Sequence, residues 1–333
     1  MAEKYFRAIR VIERSKGFFV NEIHTLPFSS LPDHDVLIRV HYSSLNYKDA
    51  LSAHGNKGIT RQFPHTPGID AAGEVIESRS DELQEGDQVI VSGNDLGMNT
   101  PGGFGEYIRV PASWCVLKPP NHGLRYFMVL GTAGLTAGLS VDRLTSAIAP
   151  GDGDVLITGA SGGVGSLAIA LLAKLGFQTV ALTSKVDHSD MLASIGTYRV
   201  MDRSLLESLP EKPLLTELWA GVLDTVGGPL FSKALRAIKY GGAATTCGMV
   251  SGTELNTSMF PFILRGISLF GIDSVGISRS YKQTIWIKLD DQWSLPNLQK
   301  VVHEISLEEL PAAIEKIYCG KMLGRVVLKH RWL

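Results

Sequence analysis

A short apolar strand, a glycine-rich turn and a helix follow one another in the segment VLITGASGGVGSLAIALLAKLG, residues 155–176. The glycines leave the backbone of the turn open to an anion, and a helix starting near Val164 directs its free N–H groups there. The spacing departs from the strict G-x-G-x-x-G pattern, and a turn that only lets strand and helix pack closely is the alternative. The order of strand, turn and helix predicts a dinucleotide-binding site. We assign to it Gly159, Ser161, Gly162, Gly163, Val164, Gly165 and Ser166.

The choice between NAD and NADP depends on the end of the next strand, QTVALTS. An acidic residue about 20 positions beyond the glycines would bind the ribose 2′-hydroxyl of NAD. That position holds Lys185, preceded by Thr183 and Ser184, which suit a 2′-phosphate. Arg203, after the strand YRVMD, would add a bidentate clamp, although Lys185 and Arg203 can equally be solvated surface charges. We predict NADPH as the cofactor.

The character of the chain changes after Pro119 and Pro120. Before them lie short β-rich segments separated by turn residues: YFRAIRVI, DVLIRVHYSSL, AAGEVIES, DQVIVSG and EYIRVPASWCVL. After them buried strands alternate with helices, which is typical of a parallel, doubly wound sheet. Because 333 residues exceed the size of one core, we predict an α/β protein with two domains. The predicted boundaries are 1–124, completed by 300–333 through the strand GRVVLKH, and 125–299 for the Rossmann domain.

Composition excludes several function classes. A formal net charge of −1, with 44% hydrophobic and 20% charged residues, argues against a nucleic-acid or membrane-surface partner. Apolar stretches such as VLGTAGLTAGLSV fall short of the ~18 residues of a membrane helix. The first residues, MAEKYFRAIRVIERSKG, lack the apolar core of a signal peptide, so we expect a cytoplasmic protein. Cys115, Cys247 and Cys319 are widely spaced and predict neither a disulfide framework nor a structural zinc site.

Several segments together resemble a known family. SSLNYKDAL, FPHTPGIDAAGEV, GTAGLTAGLSV, the glycine turn, WAGVLDTVGG, CGMVSG, FPFILRGISLFGIDSV and GRVVL are similar, in that order, to the medium-chain dehydrogenase/reductase superfamily. SSLNYKDAL and FPFILRGISLFGIDSV resemble its YhdH/YhfP quinone-oxidoreductase-like branch, which includes NADPH-dependent acrylyl-CoA reductases. The resemblance implies a GroES-like catalytic domain, a Rossmann domain, and an active site in the cleft between them.

The resemblance also bears on zinc. Zinc-dependent relatives carry a Cys in the region of Ser43 to Asn46, and Gly-His-Glu where this chain has Gly68, Ile69 and Asp70. The Cys and His are both missing, and so is the four-cysteine lobe. Because soft or imidazole ligands are missing there, we predict no metal. A lone His65 nearby is more often a loop or packing residue.

The absence of zinc ligands favours reduction of an activated C=C bond over alcohol oxidation, since the former needs only positioning and hydrogen-bond donors for the enolate. Tyr47 is the candidate donor, either to the substrate oxygen or to the nicotinamide ribose, where the family has a cofactor and substrate contact. Asn46 is the second candidate donor. Lys48 and Asp49 belong either to cleft chemistry or to the start of a helix, with Asn46 and Asp49 near an N-cap arrangement.

Further cofactor contacts are expected at the carboxyl ends of later Rossmann strands. Asp224 ends one strand, and Cys247, Gly248 and Met249 end the next; Cys247 is interpreted as a small residue rather than a nucleophile. The resemblance implies that Asp273 and Ser274 close over the nicotinamide. It also returns Arg325 to the cleft, although Arg325 can be a surface charge instead.

We therefore predict an NADPH-dependent, zinc-independent reductase of α,β-unsaturated carbonyl compounds, with acrylyl-CoA as the leading substrate. The alternatives are an NADPH:quinone oxidoreductase and a non-catalytic NADPH-binding protein. A CoA thioester needs a basic rim, for which Lys57 and Arg61 are candidates, or else these are loop charges. The segment FILRGISLFGI is a candidate edge strand that pairs two copies into a homodimer.

Overall fold

The computed structural model describes residues 3–296, 298 and 302–331. The chain forms two compact units. The first contains the residues up to Thr132, Ser274–Gln292 and the residues from Val302, and the second contains Ala133–Asp273 and Trp293–Val301. The second unit thus starts at residue 133 rather than 125, and residues 274–292 belong to the first unit rather than to the Rossmann domain as predicted.

The strands in chain order are β1 Tyr5–Ser15, β2 Phe18–Pro27, β3 Val36–Leu45, β4 Asp70–Ser78, β5 Gln88–Ser92, β6 Tyr107–Val110, β7 Cys115–Leu117, β8 Val155–Thr158, β9 Thr179–Thr183, β10 Arg199–Asp202, β11 Trp219–Asp224, β12 Ile238–Thr246, β13 Ser268–Gly271, β14 Val302–Ile305 and β15 Arg325–Lys329. The α-helices are α1 Tyr47–Ala53, α2 Leu124–Thr145, α3 Gly163–Lys174, α4 Ser189–Ser194, α5 Arg203–Glu207, α6 Gly228–Leu235, α7 Phe260–Arg265, α8 Arg279–Asp290 and α9 Leu310–Tyr318.

The first unit is built on β-sheets. Strands β1 and β2 form an antiparallel pair, and a larger sheet runs in the order β14-β15-β3-β4-β5-β7, with β6 also paired to β3. In β3, Val36, Ile38 and Val40 are fully buried, whereas the polar Arg39 and His41 are half-buried, as in a strand with one buried face. Strand β15 pairs antiparallel with β3, with Val326 opposite Leu45. The late strand therefore brings its first residue, Arg325, beside the end of β3.

Residues 274–292 join the first unit through α8. The buried Nζ of Lys282 donates hydrogen bonds to the carbonyl oxygens of Ser92 (2.9 Å) and Val275 (3.1 Å). Trp286, fully buried, packs edge-on against Phe127 with ring centroids 5.8 Å apart. These contacts bridge distant parts of the chain, so the βαβ rhythm of the sequence did not reveal them.

The second unit contains a parallel sheet in the order β10-β9-β8-β11-β12-β13. Its central strands are covered on both faces, and Leu156, Val180 and Val222 belong to one continuous core. The order reverses between β8 and β11, as expected for the predicted doubly wound fold. The carboxyl ends of β8 and β11 therefore lie at the switch point where such sheets bind ligands.

Helix α2 is longer than its sequence suggested. It has 22 residues, and an 18-residue window of it has a mean hydropathy of 1.3, so it is the one described helix long and apolar enough to cross a membrane. However, 83% of that apolar window is buried inside the protein. Burial in a core accounts for the composition equally well. The helix also breaks at Gly131, where φ is 53° and ψ is −157°.

Candidate active site and cofactor site

Helix α1 begins in the segment SSLNYKDAL. Asn46 is its N-cap, and the carboxylate of Asp49, three residues on, accepts a hydrogen bond from the Asn46 backbone N–H at 2.8 Å. The same carboxylate accepts from the N–H groups of Gly68 (3.1 Å) and Ile69 (2.8 Å). Burial raises the pKa of Asp49 to about 7, although these hydrogen bonds act in the opposite direction. Asp49 therefore has the helix-start role, and it also fixes the loop before β4.

Asp70 is the hub of a buried polar cluster beneath Asn46. Its Oδ2 accepts from Ser44 Oγ (2.5 Å), from Asn46 Nδ2 (2.8 Å) and from the Thr132 backbone N–H (2.8 Å). Its Oδ1 accepts from Thr132 Oγ1 at 2.7 Å. The side chain is fully buried. Donors from three separate segments therefore surround the carboxylate at the position where zinc-dependent relatives carry Glu.

Arg325 supplies a buried cation to this cluster, so it is not a surface charge. Its Nε donates to the carbonyl oxygen of Val129 (3.0 Å), and its Nη1 donates to Asn46 Oδ1 (3.3 Å). Burial lowers the pKa of Arg325, while the carboxylates of Asp70 and Asp49 act to raise it. The Asn46 amide is thus bonded at both ends, to Arg325 and to Asp70. This arrangement holds the amide in place and differs from the predicted role of Asn46 as a free donor to substrate.

The break in α2 makes room for this cluster. A Cβ at Gly131 would lie 2.3 Å from Ser44 Oγ, 2.6 Å from Asp70 Oδ2 and 2.8 Å from Arg325 Nη2. The backbone conformation is also one that only glycine adopts readily. Breaking the helix frees the N–H of Thr132 for Asp70. Glycine is therefore required at position 131, both by the backbone conformation and by the lack of room for a Cβ.

Tyr47 differs from its neighbours because it is exposed. It occupies the first position of α1, and 39% of its surface is accessible. Within the described part of the chain its hydroxyl has no hydrogen-bond partner. Lys48 is half-buried beside it. Tyr47 thus carries the one hydroxyl at the start of α1 that remains available to a ligand.

The glycine turn of the second unit has an outer and an inner part. Gly162 is exposed, Gly163 and Val164 are half-buried, and all three lie at the start of α3, where first-turn N–H groups lack helical acceptors. Gly165 is buried, and a Cβ there would lie 2.5 Å from the Gly159 carbonyl oxygen. The outer part therefore fits a pyrophosphate, and the inner part allows strand and helix to pack closely.

The remaining members of the predicted turn support it. Ser161 is buried, and its Oγ lies 3.3 Å from Thr183 Oγ1 at the end of β9. Ser166 is also buried and donates through Oγ to the carbonyl oxygen of Gly163 at 3.3 Å. Hydroxyl groups therefore link the turn to the neighbouring strand and stabilise its shape.

The residues predicted to bind the 2′-phosphate emerge from two adjacent strands. Asp202, the last residue of β10, pairs with Thr183, the last residue of β9. Ser184, which is exposed, and Lys185, which is half-buried, follow β9, while Arg203 follows β10. The Nε of Arg203 lies 2.6 Å from a Glu207 carboxylate oxygen, so this guanidinium is paired within its own helix rather than held open as a clamp. Burial lowers the pKa of Lys185.

Asp224 ties the ends of three strands together. It accepts hydrogen bonds from Thr158 Oγ1 (2.6 Å) and Thr246 Oγ1 (2.8 Å), and burial raises its pKa. Cys247 Sγ lies 3.4 Å from the Asp224 carbonyl oxygen, and burial raises the pKa of the thiol to about 12. A thiol that stays protonated is a poor nucleophile, which supports the small-residue interpretation.

The last predicted contacts differ in exposure. A Cβ at Gly248 would lie 1.8 Å from the Thr225 carbonyl oxygen, so Gly248 is needed for packing. Met249 is 70% exposed on the loop that follows. Asp273 is exposed at the end of the second unit, and Ser274 is buried at the start of the segment that returns to the first unit.

Sequence reasoning missed the hub role of Asp70 and the contributions of Ser44, Gly131 and Thr132. A buried acid at the first position of a strand was the available signal, but its partners are 24 to 62 residues away. Among the described residues, no three His, Cys, Asp or Glu side chains converge to hold a metal ion. The expectation that the enzyme works without zinc stays a prediction from residue types.

Two family models match the chain. The alcohol dehydrogenase GroES-like domain matches residues 32–120, and the zinc-binding dehydrogenase model matches residues 163–288. The first match lies within the β-rich first unit, and the second covers most of the parallel sheet of the second unit together with residues 274–288 of the first. The predicted pairing of a GroES-like domain with a Rossmann domain is confirmed.

Relatives match over nearly the whole chain. YhfP of Bacillus subtilis, named as a candidate quinone oxidoreductase, is 39% identical over 97% of this chain and 98% of its own. The acrylyl-CoA reductase AcuI of Ruegeria pomeroyi is 36% identical over 92% and 93%. The crystal structure of the Salmonella enterica yhdH oxidoreductase with NADP is 39% identical, covers 98% and 100%, and has a TM-score of 0.94. That of Bacillus subtilis yhfP with NAD bound is 38% identical, covers 98% and 99%, and has a TM-score of 0.94.

Proposed function

Because the chain belongs to the quinone-oxidoreductase-like branch of the medium-chain dehydrogenase/reductase superfamily, we propose that it reduces the C=C bond of acrylyl-CoA with NADPH. It is an oxidoreductase with a nicotinamide cofactor. The acrylyl-CoA reductase among its relatives supports the substrate, and that protein aligns over almost all of both chains.

The observation that carries the proposal is the exposure of Tyr47 above an immobilised cluster. Asn46 and Asp49 are buried and hydrogen-bonded, whereas the adjacent phenol is accessible. Conjugate reduction needs a fixed donor for the oxygen on which charge develops, and a preorganised donor is worth roughly 10²–10³ in kcat. Tyr47 fits this requirement, since its backbone is fixed at the first position of α1.

NADPH, when bound, supplies a hydride from nicotinamide C4. The β-carbon of the substrate gains the new C–H bond, and the C=C electron pair moves toward the thioester carbonyl to give an enolate. The electron pair returns to the α-carbon, which takes a proton from solvent water. Tyr47 donates a hydrogen bond to the carbonyl oxygen while charge develops there. Arg325 and Asp70, through Asn46, hold the start of α1 in one position. Each residue thus orients or stabilises, and none forms a covalent bond with the substrate.

NADPH is favoured over NADH by the end of β9. Ser184 and Lys185 offer a hydroxyl and a cation without an acidic residue in the ribose position, and the Salmonella yhdH structure holds NADP. The Bacillus yhfP structure with NAD makes the distinction worth testing. We expect Lys185→Asp to reduce the preference for NADPH over NADH at least about tenfold in kcat/KM. Lys212→Asp, an exposed lysine elsewhere in the second unit, is the control, and unchanged preference in Lys185→Asp would remove Lys185 from the phosphate site.

Quinone reduction is the second candidate, favoured by the name of YhfP and its 39% identity. The deciding experiment measures kcat/KM for acrylyl-CoA, crotonyl-CoA and 1,4-benzoquinone with NADPH. Acrylyl-CoA is expected to give the highest value, and a preference for benzoquinone would refute the thioester assignment. If NADPH oxidation is absent with all three, the protein only binds the cofactor.

The Tyr47→Phe variant tests the donor role. We expect kcat with acrylyl-CoA to fall about 100-fold with little change in the KM for NADPH. If the KM for NADPH rises instead, the phenol contacts the nicotinamide ribose.

A homodimer is proposed through β13, which is an edge strand of the parallel sheet. The preceding helix α7 and its N-cap Met259 expose apolar side chains, with Ile263 at 70%, Met259 at 63% and Leu264 at 57% accessible. An exposed edge beside an apolar surface can pair with its own copy across a two-fold axis. Sedimentation velocity of the wild type and Ile263→Asp tests this, with a dimer and a monomer as the expected species.

A further inference from the structure

A hollow of about 480 Å³ lies on the first unit, between β1 and the loop that follows α1. Its lining residues are Ile12, Glu13, Lys57, Arg61, Gln62, Phe63 and Pro64. We call it the Arg61 hollow. It combines two cations, one acid and an aromatic ring, which is a suitable composition for an anionic organic group.

Lys57 is held in a defined position in the Arg61 hollow. Its Nζ lies 4.6 Å from the centroid of the Phe63 ring and 5.8 Å from that of Phe19. The Glu13 carboxylate lies 3.9 Å from the same Nζ, and its other oxygen accepts the Gly17 N–H at 3.0 Å. Glu13 is therefore occupied by a turn and by Lys57. One cation of the hollow is balanced, and the second is not.

Arg61 is the unbalanced cation. Its backbone N–H donates to Asn99 Oδ1 at 3.2 Å, which fixes the loop at this point. Its side chain is exposed, and its guanidinium has no ion-pair or hydrogen-bond partner among the described residues. A guanidinium on an anchored backbone, above a hollow with a second cation, is suited to bidentate recognition of a phosphate.

The position of the hollow along the chain relates it to Tyr47. Tyr47 begins α1, which has seven residues and is therefore about 10 Å long. Lys57 follows the last residue of that helix, Ala53, by four positions. A thioester with its carbonyl oxygen at Tyr47 needs a phosphate site one pantetheine arm away. The Arg61 hollow begins just beyond the far end of the helix that carries Tyr47.

We propose, on the basis of the proposed thioester function, that the Arg61 hollow binds the phosphates of the nucleotide end of coenzyme A. Arg61 contacts the phosphate groups as a fork, and Lys57 contributes a point charge beside the Phe63 ring. Quinones and thioesters of pantetheine lack the nucleotide end of coenzyme A. The hollow therefore selects CoA esters over other unsaturated carbonyl compounds, through KM rather than through the chemical step.

The direct test measures binding with the cofactor site already filled. Coenzyme A, 3′-dephospho-CoA and inorganic phosphate are titrated calorimetrically into the protein with saturating NADPH. The double variant Lys57→Glu/Arg61→Glu is compared with Lys4→Glu, an exposed lysine of the same unit outside the hollow. We expect CoA affinity to fall about tenfold or more in the double variant and not in Lys4→Glu. Equal CoA affinity in the wild type and the double variant would overturn the proposal, and so would phosphate binding as tight as that of CoA.

Kinetics separate this proposal from the function on which it rests. In the double variant, the KM for acrylyl-CoA should rise about tenfold, while kcat and the KM for acrylyl-pantetheine stay unchanged. A parallel rise for acrylyl-pantetheine would overturn the nucleotide site. If the wild type reduces neither thioester but CoA still binds through Lys57 and Arg61, the reaction assignment fails and the nucleotide site stands.

Discussion

The glycine turn of the second unit and the polar cluster of the first unit are built in opposite ways. The turn spans only Gly159 to Ser166, and its outer part offers backbone groups to a ligand because Gly162 and Gly163 have no side chain. The cluster depends on side chains from β3, β4, α2 and β15, and the bond between Asn46 and Arg325 joins residues 279 positions apart. One site is local and made of backbone, whereas the other is assembled from distant, buried, charged groups.

The difference predicts how each site responds to change. A backbone site exposed to solvent can lose ligand affinity while the fold stays intact. In a buried cluster, function cannot be lost without a loss of stability, because each donor or acceptor that loses its partner destabilises the folded state directly. Substitutions in the first unit should therefore affect folding, and those in the turn should affect binding.

The largest effect is expected for Gly131→Ala. The added Cβ would overlap Ser44 Oγ and Asp70 Oδ2, in a backbone conformation that alanine does not tolerate. We expect the free energy of unfolding to fall by about 4 kcal/mol or more, measured by urea denaturation. Gly123→Ala is the matched control because a Cβ there meets no atom within 4 Å, and its effect should stay within about 0.5 kcal/mol. Similar stability of the two variants would show that the cluster can rearrange.

Asp70→Ala should cost about 3 kcal/mol of unfolding free energy, because it leaves the buried guanidinium of Arg325 and four hydrogen-bond donors without their carboxylate. Asp70→Asn keeps one acceptor oxygen and should lose less. Asp81→Ala, at an exposed position of the same unit, is the control. Amide hydrogen exchange in β3 and β4 reports the loss of stability around Asp70. A stable Asp70→Ala protein with native exchange would mean that water replaces the carboxylate.

Acid should destabilise the first unit through His65. Burial lowers the pKa of His65 from 6.5 to about 4, and Arg10 adds to this effect. Between these values the unfolded chain binds a proton that the folded protein does not, so stability falls as the pH decreases from 6.5 toward 4. By pH 4.5 the wild type should lose about 2 kcal/mol that His65→Gln does not lose.

Urea unfolding of the wild type and of His65→Gln is compared at pH 7 and pH 4.5. Asp49 is present in both proteins, so its contribution to the pH dependence cancels in the difference. His188→Gln is the control, since His188 is exposed and belongs to the second unit. An equal acid response in the wild type and His65→Gln would show that His65 is protonated in the folded state.

The smallest effect on stability is expected for Gly162→Ala. The exposed Gly162 has φ −80°, and a Cβ there would meet only the Gly159 carbonyl oxygen, at 3.2 Å. We expect unfolding free energy to change by less than about 1 kcal/mol. The affinity for NADPH should nevertheless fall about tenfold, because the methyl group obstructs the approach of a pyrophosphate. Fluorescence titration measures this, and unchanged affinity would limit the role of the turn to packing.

The local site was predictable and the distributed one was not. The order of strand, turn and helix was predicted, and the predicted helix start near Val164 is one residue from Gly163, because these features lie in one continuous segment. Asp70 and Arg325 gave no such signal, since their partners are brought together by sheet pairing. The resemblance to zinc-dependent relatives indicated that zinc ligands are missing and left open what occupies their place.

Strand β2 and the boundary between the units were missed for physical reasons. Strand β2 has no buried residue, so it lacks the alternation of apolar and polar positions that reveals a strand. The boundary between the units falls within α2, whose apolar pattern continues past the break at Gly131. Only the position of the cluster shows why the helix breaks there.

The pairing of β15 with β3 also has a consequence for biosynthesis. Asn46 and Asp70 leave the ribosome early, but Arg325, whose guanidinium hydrogen-bonds to Asn46, is encoded about 280 codons after Asn46. Until Arg325 is translated, the nascent first unit holds a buried carboxylate without its cation. The second unit draws nearly all of its residues from one continuous stretch and can fold as soon as that stretch emerges. The unit that is translated first is therefore the one that matures last.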